Sequence, residues 1–121
     1  MSKLILTKEE YQHIANSFDR LKQSYKRIKP EEWERGDKLL IKQICIKFSL
    51  QAPEDMNQFE VVLKRQHLRL LEAYCKASIN RLENEILPAY IKRGDKQEYV
   101  QQTEELIKKV KGILIKLEAL L

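Results

Sequence analysis

A group of basic residues near the N-terminus is the feature of this sequence with the clearest capacity for chemistry. It consists of Arg20, Lys22, Lys26, Arg27 and Lys29. Residues 1–29 hold seven basic and three acidic residues, which accounts for most of the net charge of +5. Ammonium and guanidinium groups that lack carboxylate neighbours are suited to phosphates. This group therefore predicts contact with a nucleic-acid backbone, and a solvated helix face is the alternative.

A second basic stretch follows the middle of the chain. It contains Lys64, Arg65, Arg69 and Lys76, with His67 among them. In a helix Arg65, Arg69 and Lys76 share one stripe, because they are spaced by four and seven residues. Glu72 can pair with Arg69 or Lys76, so a salt-bridged surface competes with a phosphate-binding one. Tyr25 and Trp33 can stack on bases, although aromatic residues at this spacing are more often core.

Catalytic and metal-binding patterns are what the sequence lacks. Glu10 and His13 form half of a di-iron motif, but the residue three before His67 is Lys64, so the second half is missing. No glycine-rich phosphate loop or Cys-x-x-Cys pair occurs. We predict a protein that is not an enzyme and has no metal, cofactor or small-molecule substrate. Cys45 and Cys75 lie in apolar helical patterns and are expected to be reduced core thiols.

The element that positions the first basic group is a helix beginning after Thr7. Thr7 and Glu10 form a capping box, and Leu6 and Tyr11 stand at the positions of a hydrophobic staple. The apolar residues that follow alternate spacings of three and four, which is typical of a narrow seam: Tyr11, Ile14, Phe18, Leu21, Tyr25 and Ile28. The basic residues lie outside this seam.

Two further helices are predicted in the middle of the chain. Pro30 begins a short turn that stops at Gly36, and Asp37 then caps a helix reaching about Leu50. Helical periodicity over residues 53–87 predicts a central helix roughly 50 Å long, which ends before Pro88. This helix carries the second basic stretch.

The last helix is expected to begin after Gly94, with Asp95 and Glu98 as capping residues. The segments Pro30–Lys38 and Pro88–Lys96 share a proline, a glycine and an aspartate at matching positions. Either an ancient duplication of a helical hairpin or convergent turn chemistry explains this repeat.

Together these patterns predict an all-α protein. The expected architecture is a four- to five-helix bundle with one long central helix over about 53–87, in a single helical domain over 1–121. Two related helical hairpins are the alternative organisation of this bundle. No run of about 18 apolar residues occurs, so we expect no membrane span. The N-terminus lacks the pattern of a signal peptide, which indicates a cytoplasmic protein.

In length, helix count and moderate basic charge, the chain resembles the small helical subunits of CRISPR effector complexes. The resemblance is one of architecture. It implies further copies and other protein subunits as partners, and contact with single-stranded or hybrid nucleic acid through residues such as Arg20, Lys26, Arg27, Arg65 and Arg69. The alternative is a cytosolic adaptor or chaperone, or a phage or plasmid accessory protein, that binds a partner helix and has no nucleic-acid role.

Overall fold

The fold is known from a computed structural model, which describes residues 1–25, 35–49, 55–94 and 96–121. The chain divides into two compact units, Met1–His67 and Leu68–Leu121. The single domain over 1–121 stays a prediction. In chain order the elements are β1 (Ser2–Thr7), α1 (Lys8–Tyr25), α2 (Arg35–Lys47), β2 (Gln58–Leu63), α3 (Arg65–Arg81), a π-helical segment (Leu82–Ile86), α4 (Leu87–Arg93) and α5 (Gln97–Leu120). The predicted helical class is confirmed, although the all-α prediction omitted a two-stranded sheet.

The start of α1 is confirmed in atomic detail. The Thr7 N–H donates to Glu10 Oε1 over 2.9 Å, and the Glu10 N–H donates to Thr7 Oγ1 over 3.2 Å. Leu6 and Tyr11, the predicted staple, are both buried. This reciprocal pair satisfies two backbone donors that a helix start leaves without partners, so β1 passes directly into α1.

The predicted helix over 53–87 is wrong in its first third, because Gln58–Leu63 is a strand. β2 pairs with β1 in an antiparallel register that sets Leu4 opposite Val61 and Leu6 opposite Phe59. Along β2 burial alternates strictly, with one face buried and the other exposed. That period of two is the geometry of a strand, which the three-four spacing of Phe59, Val62 and Leu63 concealed.

The core of the first unit lies between the inner face of the sheet and the two helices. The Tyr11 ring on α1 stacks on Phe59 of β2 at 4.5 Å between centroids and lies 5.1 Å from Phe48, just after α2. Ile14 and Phe18 continue the buried stripe of α1, as the seam predicted. Ile28 lies outside the described residues. Aromatic rings at these separations add to the stability gained by burial alone.

In the second unit the helix does not end before Pro88. α3 passes through the π-helical segment into α4, and Pro88 lies in the first turn of α4. Proline lacks an N–H and clashes with the carbonyl one turn earlier, so it disrupts a regular helix. The wider π turn just before Pro88 is the adjustment that lets the chain stay helical. α5 packs against this segment and α4, and Lys111 on α5 pairs with Glu83 at 2.6 Å.

Helix boundaries near the two repeated glycines differ from the prediction. α2 begins at Arg35, so Gly36 and Asp37 lie inside its first turn instead of preceding it. Gly94 ends α4, with φ 68° and its N–H directed to Ile91 O. α5 has Lys96 at its N-cap, without a side-chain capping bond, so the predicted N-cap is displaced. The two glycines thus have different structural roles.

Several predicted features fall outside the part of the chain that the structure describes. These are Lys26, Arg27, Lys29, Pro30, Trp33 and the capping aspartate Asp95. Within the described ranges, no helix has the length and hydropathy needed to cross a membrane.

Candidate nucleic-acid interface

The start of α3 carries the most clearly positioned basic residues. β2 ends at the buried Leu63, Lys64 links the strand to the helix, and α3 begins at Arg65. Lys64 and Arg65 are both exposed. Neither forms an ion pair with any residue in the described ranges. β2 precedes Lys64 and α3 begins at Arg65, so regular secondary structure fixes the backbone of both residues. Their side chains therefore project from a defined position in the fold.

His67 holds this junction from the inside. Its ring is 2% exposed. Nδ1 accepts the Lys64 N–H over 3.3 Å, and Nε2 lies 2.8 Å from Gln43 Oε1 on α2. Since Nδ1 accepts and the amide oxygen needs a donor, this network assigns the proton to Nε2. His67 therefore ties the α3 start to α2 as a neutral imidazole.

The pKa of His67 indicates that a second lysine, Lys47, lies close to the imidazole ring. Burial lowers the pKa of His67, and the positive charges of Lys47 and Lys64 lower that pKa further. Lys47 is an exposed residue in the last turn of α2. Sequence reasoning missed Lys47, because it is separated from Lys64 along the chain and only tertiary structure brings both near one imidazole. We call Lys47, Lys64 and Arg65 the junction cluster.

Arg69 and Lys76 lie on the part of α3 that belongs to the second unit, and their surroundings differ. Arg69 lies one turn after Arg65, is exposed, and has no ion-pair partner among the described side chains. Lys76 pairs with Glu72, with Nζ 3.7 Å from Oε1. This is the salt-bridged surface that the sequence offered as an alternative. An exposed pair of this kind contributes little to stability, but the carboxylate reduces the attraction of Lys76 for a phosphate.

On α1 the structure describes only the beginning of the predicted basic group. Arg20 and Lys22 are exposed, and Arg20 Nε donates to Asn16 O over 3.4 Å. Lys22 borders a groove of about 550 Å³ between α1 and α2, together with Asp19 and Cys45. Asp19 places a carboxylate beside Lys22. Among the described residues, no hydrogen bond or ion pair joins Arg20 or Lys22 to the junction cluster.

The two cysteines have raised thiol pKa values, and Glu10 has a structural role in a helix cap. Cys45 and Cys75 are free thiols. Burial raises the pKa of Cys75 to about 12, and burial also raises the pKa of Cys45. A protonated thiol is a poor nucleophile. Glu10, half of the Glu10–His13 motif, is engaged in capping α1. Within the described ranges, no group of three or more His, Cys, Asp or Glu side chains is arranged to hold a metal ion.

Comparison of the chain with protein-family models, with curated proteins and with solved structures finds no match.

Proposed function

We propose that this protein is a non-catalytic helical subunit that assembles with other protein subunits in the cytoplasm and contacts a nucleic-acid backbone through its basic residues. The small subunit of a CRISPR ribonucleoprotein complex is the specific form of this proposal, with further copies of the chain among its neighbours. Single-stranded or hybrid nucleic acid is the expected ligand.

The junction cluster is the observation that carries the proposal. Lys47 and Lys64 act on the same buried imidazole, and Arg65 begins the adjoining helix. Gathering cations around a site costs electrostatic free energy, which a bound phosphate offsets. His67 stays neutral there, so it positions the Lys64 backbone without adding repulsion.

The test measures how the affinity for nucleic acid depends on salt. Fluorescence anisotropy of a labelled single-stranded oligonucleotide is recorded at about 50 and about 200 mM salt, where each phosphate contact contributes about 0.7 to the log–log slope. We expect Lys64→Gln/Arg65→Gln to lower this slope by about 1.4 relative to the wild type. The matched control, Lys108→Gln/Lys109→Gln on α5, removes the same charge and should leave the slope unchanged.

Equal effects of the two double variants would mean that only net charge matters, and would overturn the assignment to the junction cluster.

Charge reversal at Lys22, Lys26 and Arg27 tests the α1 group separately. We expect it to abolish binding, and unchanged binding would remove α1 from the proposed interface. Absence of wild-type binding at about 50 mM salt contradicts the proposed function as a whole.

The second candidate is an adaptor that binds a partner's amphipathic helix. It is favoured by large apolar side chains left on the surface, with Leu39 and Ile46 on α2 being 57% and 71% exposed. On α5, Ile115 is 69% exposed and borders a groove of about 530 Å³ together with Gly112 and Ile107. Apolar helix faces of this kind are typical of grooves that accept a helix.

A further inference from the structure

Two tyrosines meet at the turn between α4 and α5. The ring centroids of Tyr90 and Tyr99 lie 6.1 Å apart, with 35° between the ring planes. Gly94 makes this approach possible, because its left-handed conformation, φ 68°, ends α4 and reverses the chain. The sequence gives little sign of the pair, since the two residues are nine positions apart and belong to different helices.

The pair is only partly explained by packing within the unit. Tyr99 is 46% exposed, whereas Thr103, one turn further along the same stripe of α5, is buried. Thr103 Oγ1 donates to Tyr99 O over 2.8 Å, which fixes the backbone at this point. Tyr99 thus stands at the end of the buried stripe, with much of its ring in solvent.

Arg93 contacts the Tyr90 ring, and the same stretch of sequence carries Lys92 and Lys96 as well as the acids Asp95 and Glu98. The guanidinium carbon of Arg93 lies 5.6 Å from the centroid of Tyr90, and Arg93 Nε donates to Ala89 O over 3.4 Å. Lys92 and Lys96 are exposed on either side of the turn and form no ion pair within the described ranges. Aromatic rings that offer a face, combined with basic side chains, are the components of sites that bind single-stranded nucleic acid.

We infer that Tyr90 and Tyr99 form a base-stacking site for single-stranded nucleic acid, with Lys92 and Lys96 meeting the adjoining phosphates. This inference deepens the proposed function and rests on it. Tyr99 presents the exposed ring to the base, and Tyr90 supports that ring from α4. A proline-rich peptide also packs on tyrosine rings, but it offers no phosphates to Lys92 and Lys96, which favours the nucleic acid.

The experiment compares two labelled oligonucleotides of about twelve nucleotides, a length within the range bound by single-strand modules. One is oligothymidylate, and the other has the same phosphates but abasic sugars. Anisotropy titrations at about 50 mM salt use the wild type, Tyr99→Ala, Tyr99→Phe and Ile91→Ala. Ile91 is 61% exposed on α4, so its variant controls for the loss of an exposed apolar side chain. Thermal melting verifies that each variant is folded.

We expect the wild type to bind oligothymidylate more tightly than the abasic strand. Tyr99→Ala should weaken oligothymidylate binding by about fivefold or more and leave abasic binding unchanged, because a stacked base contributes about 1–3 kcal/mol. Tyr99→Phe and Ile91→Ala should behave as the wild type. Equal, salt-sensitive binding of both strands by the wild type overturns the stacking site but leaves the proposed function intact. Binding of neither strand overturns both, and equal losses for both strands in Tyr99→Ala also overturn the stacking site.

Discussion

At the scale of single residues, His67 connects the fold to the proposed interface. Its ring is buried, and its two nitrogens are used by Lys64 on the strand side and Gln43 on α2. Protonation would place a hydrogen on Nδ1, so the bond from the Lys64 N–H would be lost. A third positive charge would also arise beside Lys47 and Lys64. The structure is therefore stabilised by a neutral imidazole.

This leads to a prediction about pH. The folded pKa of His67 lies below its ordinary value of 6.5, so between those two values the unfolded chain binds a proton that the folded chain excludes. The contribution of His67 is complete above about pH 6.5 and is lost as the pH falls below it, by at most about 1.4 kcal/mol per pH unit. We expect the urea midpoint to drop from pH 7.5 to 5.5.

The variants for this prediction are His67→Gln and, as a control at an exposed neighbouring position of α3, Gln66→Ala. The decrease in midpoint over this pH range should be smaller in His67→Gln than in the wild type and unchanged in Gln66→Ala. Identical pH profiles for all three proteins would show that His67 is not the group responsible.

The capping box gives a second prediction at this scale. Thr7→Ala removes the acceptor of the Glu10 N–H, and loss of such a cap typically lowers the free energy of unfolding by about 1 kcal/mol. Thr7→Ser retains a hydroxyl and should cost much less. Chemical denaturation of the two variants checks the difference. Equal losses would mean that the methyl group of Thr7, and not its hydroxyl, provides the stability.

At the scale of elements, a prediction for β2 distinguishes the observed strand from the helix expected over 53–87. Val61 is 6% exposed and its neighbour Val62 is 39% exposed. Substitution by alanine removes the same valine β-propensity at both positions. Any difference between the two losses of unfolding free energy therefore reflects the burial of the side chain. Val61→Ala should cost about 2 kcal/mol of unfolding free energy and Val62→Ala well under half of that. A larger cost at Val62 would contradict the observed register.

The elements also show which features can be predicted from sequence. The α1 start was correct because its determinants, Thr7 and Glu10, lie within one turn of each other. β1 and β2 were missed because each strand is defined by a partner far away in sequence. The helix end expected before Pro88 was wrong because a π-helical turn compensates for the proline, which spacing alone does not reveal. Lys47 and the tyrosine pair were missed because tertiary folding assembles them.

At the scale of the whole molecule, basic and apolar side chains are both left on the surface of each unit. Arg65 and Ile46 are exposed in the first unit, and Arg69 and Ile115 in the second. The basic residues are the basis of the proposed function, and the apolar ones are the basis of the adaptor candidate. Their coexistence is consistent with a subunit that has both protein and nucleic-acid partners.

The exposed apolar residues lead to a prediction for the isolated protein. We expect it to bind a hydrophobic dye such as anilinonaphthalene sulfonate, and Ile46→Ser/Ile115→Ser to bind less dye while unfolding within about 0.5 kcal/mol of the wild type. Lys42→Ser/Gln101→Ser, which alters exposed polar positions on the same two helices, is the control. Equal dye emission from all three proteins would count against these two isoleucines as a partner surface.

The pairing of β1 with β2 has a consequence for the order of folding during synthesis. The register joins Ser2 to Leu63, so the first strand has no partner until more than sixty residues have been made. At about 5–20 residues per second, that delay is roughly 3–12 seconds. The cap of α1 needs only residues 7–10 and can form early. Leu4 and Leu6, which are buried in the folded protein, therefore stay without their strand partners until β2 has been synthesised.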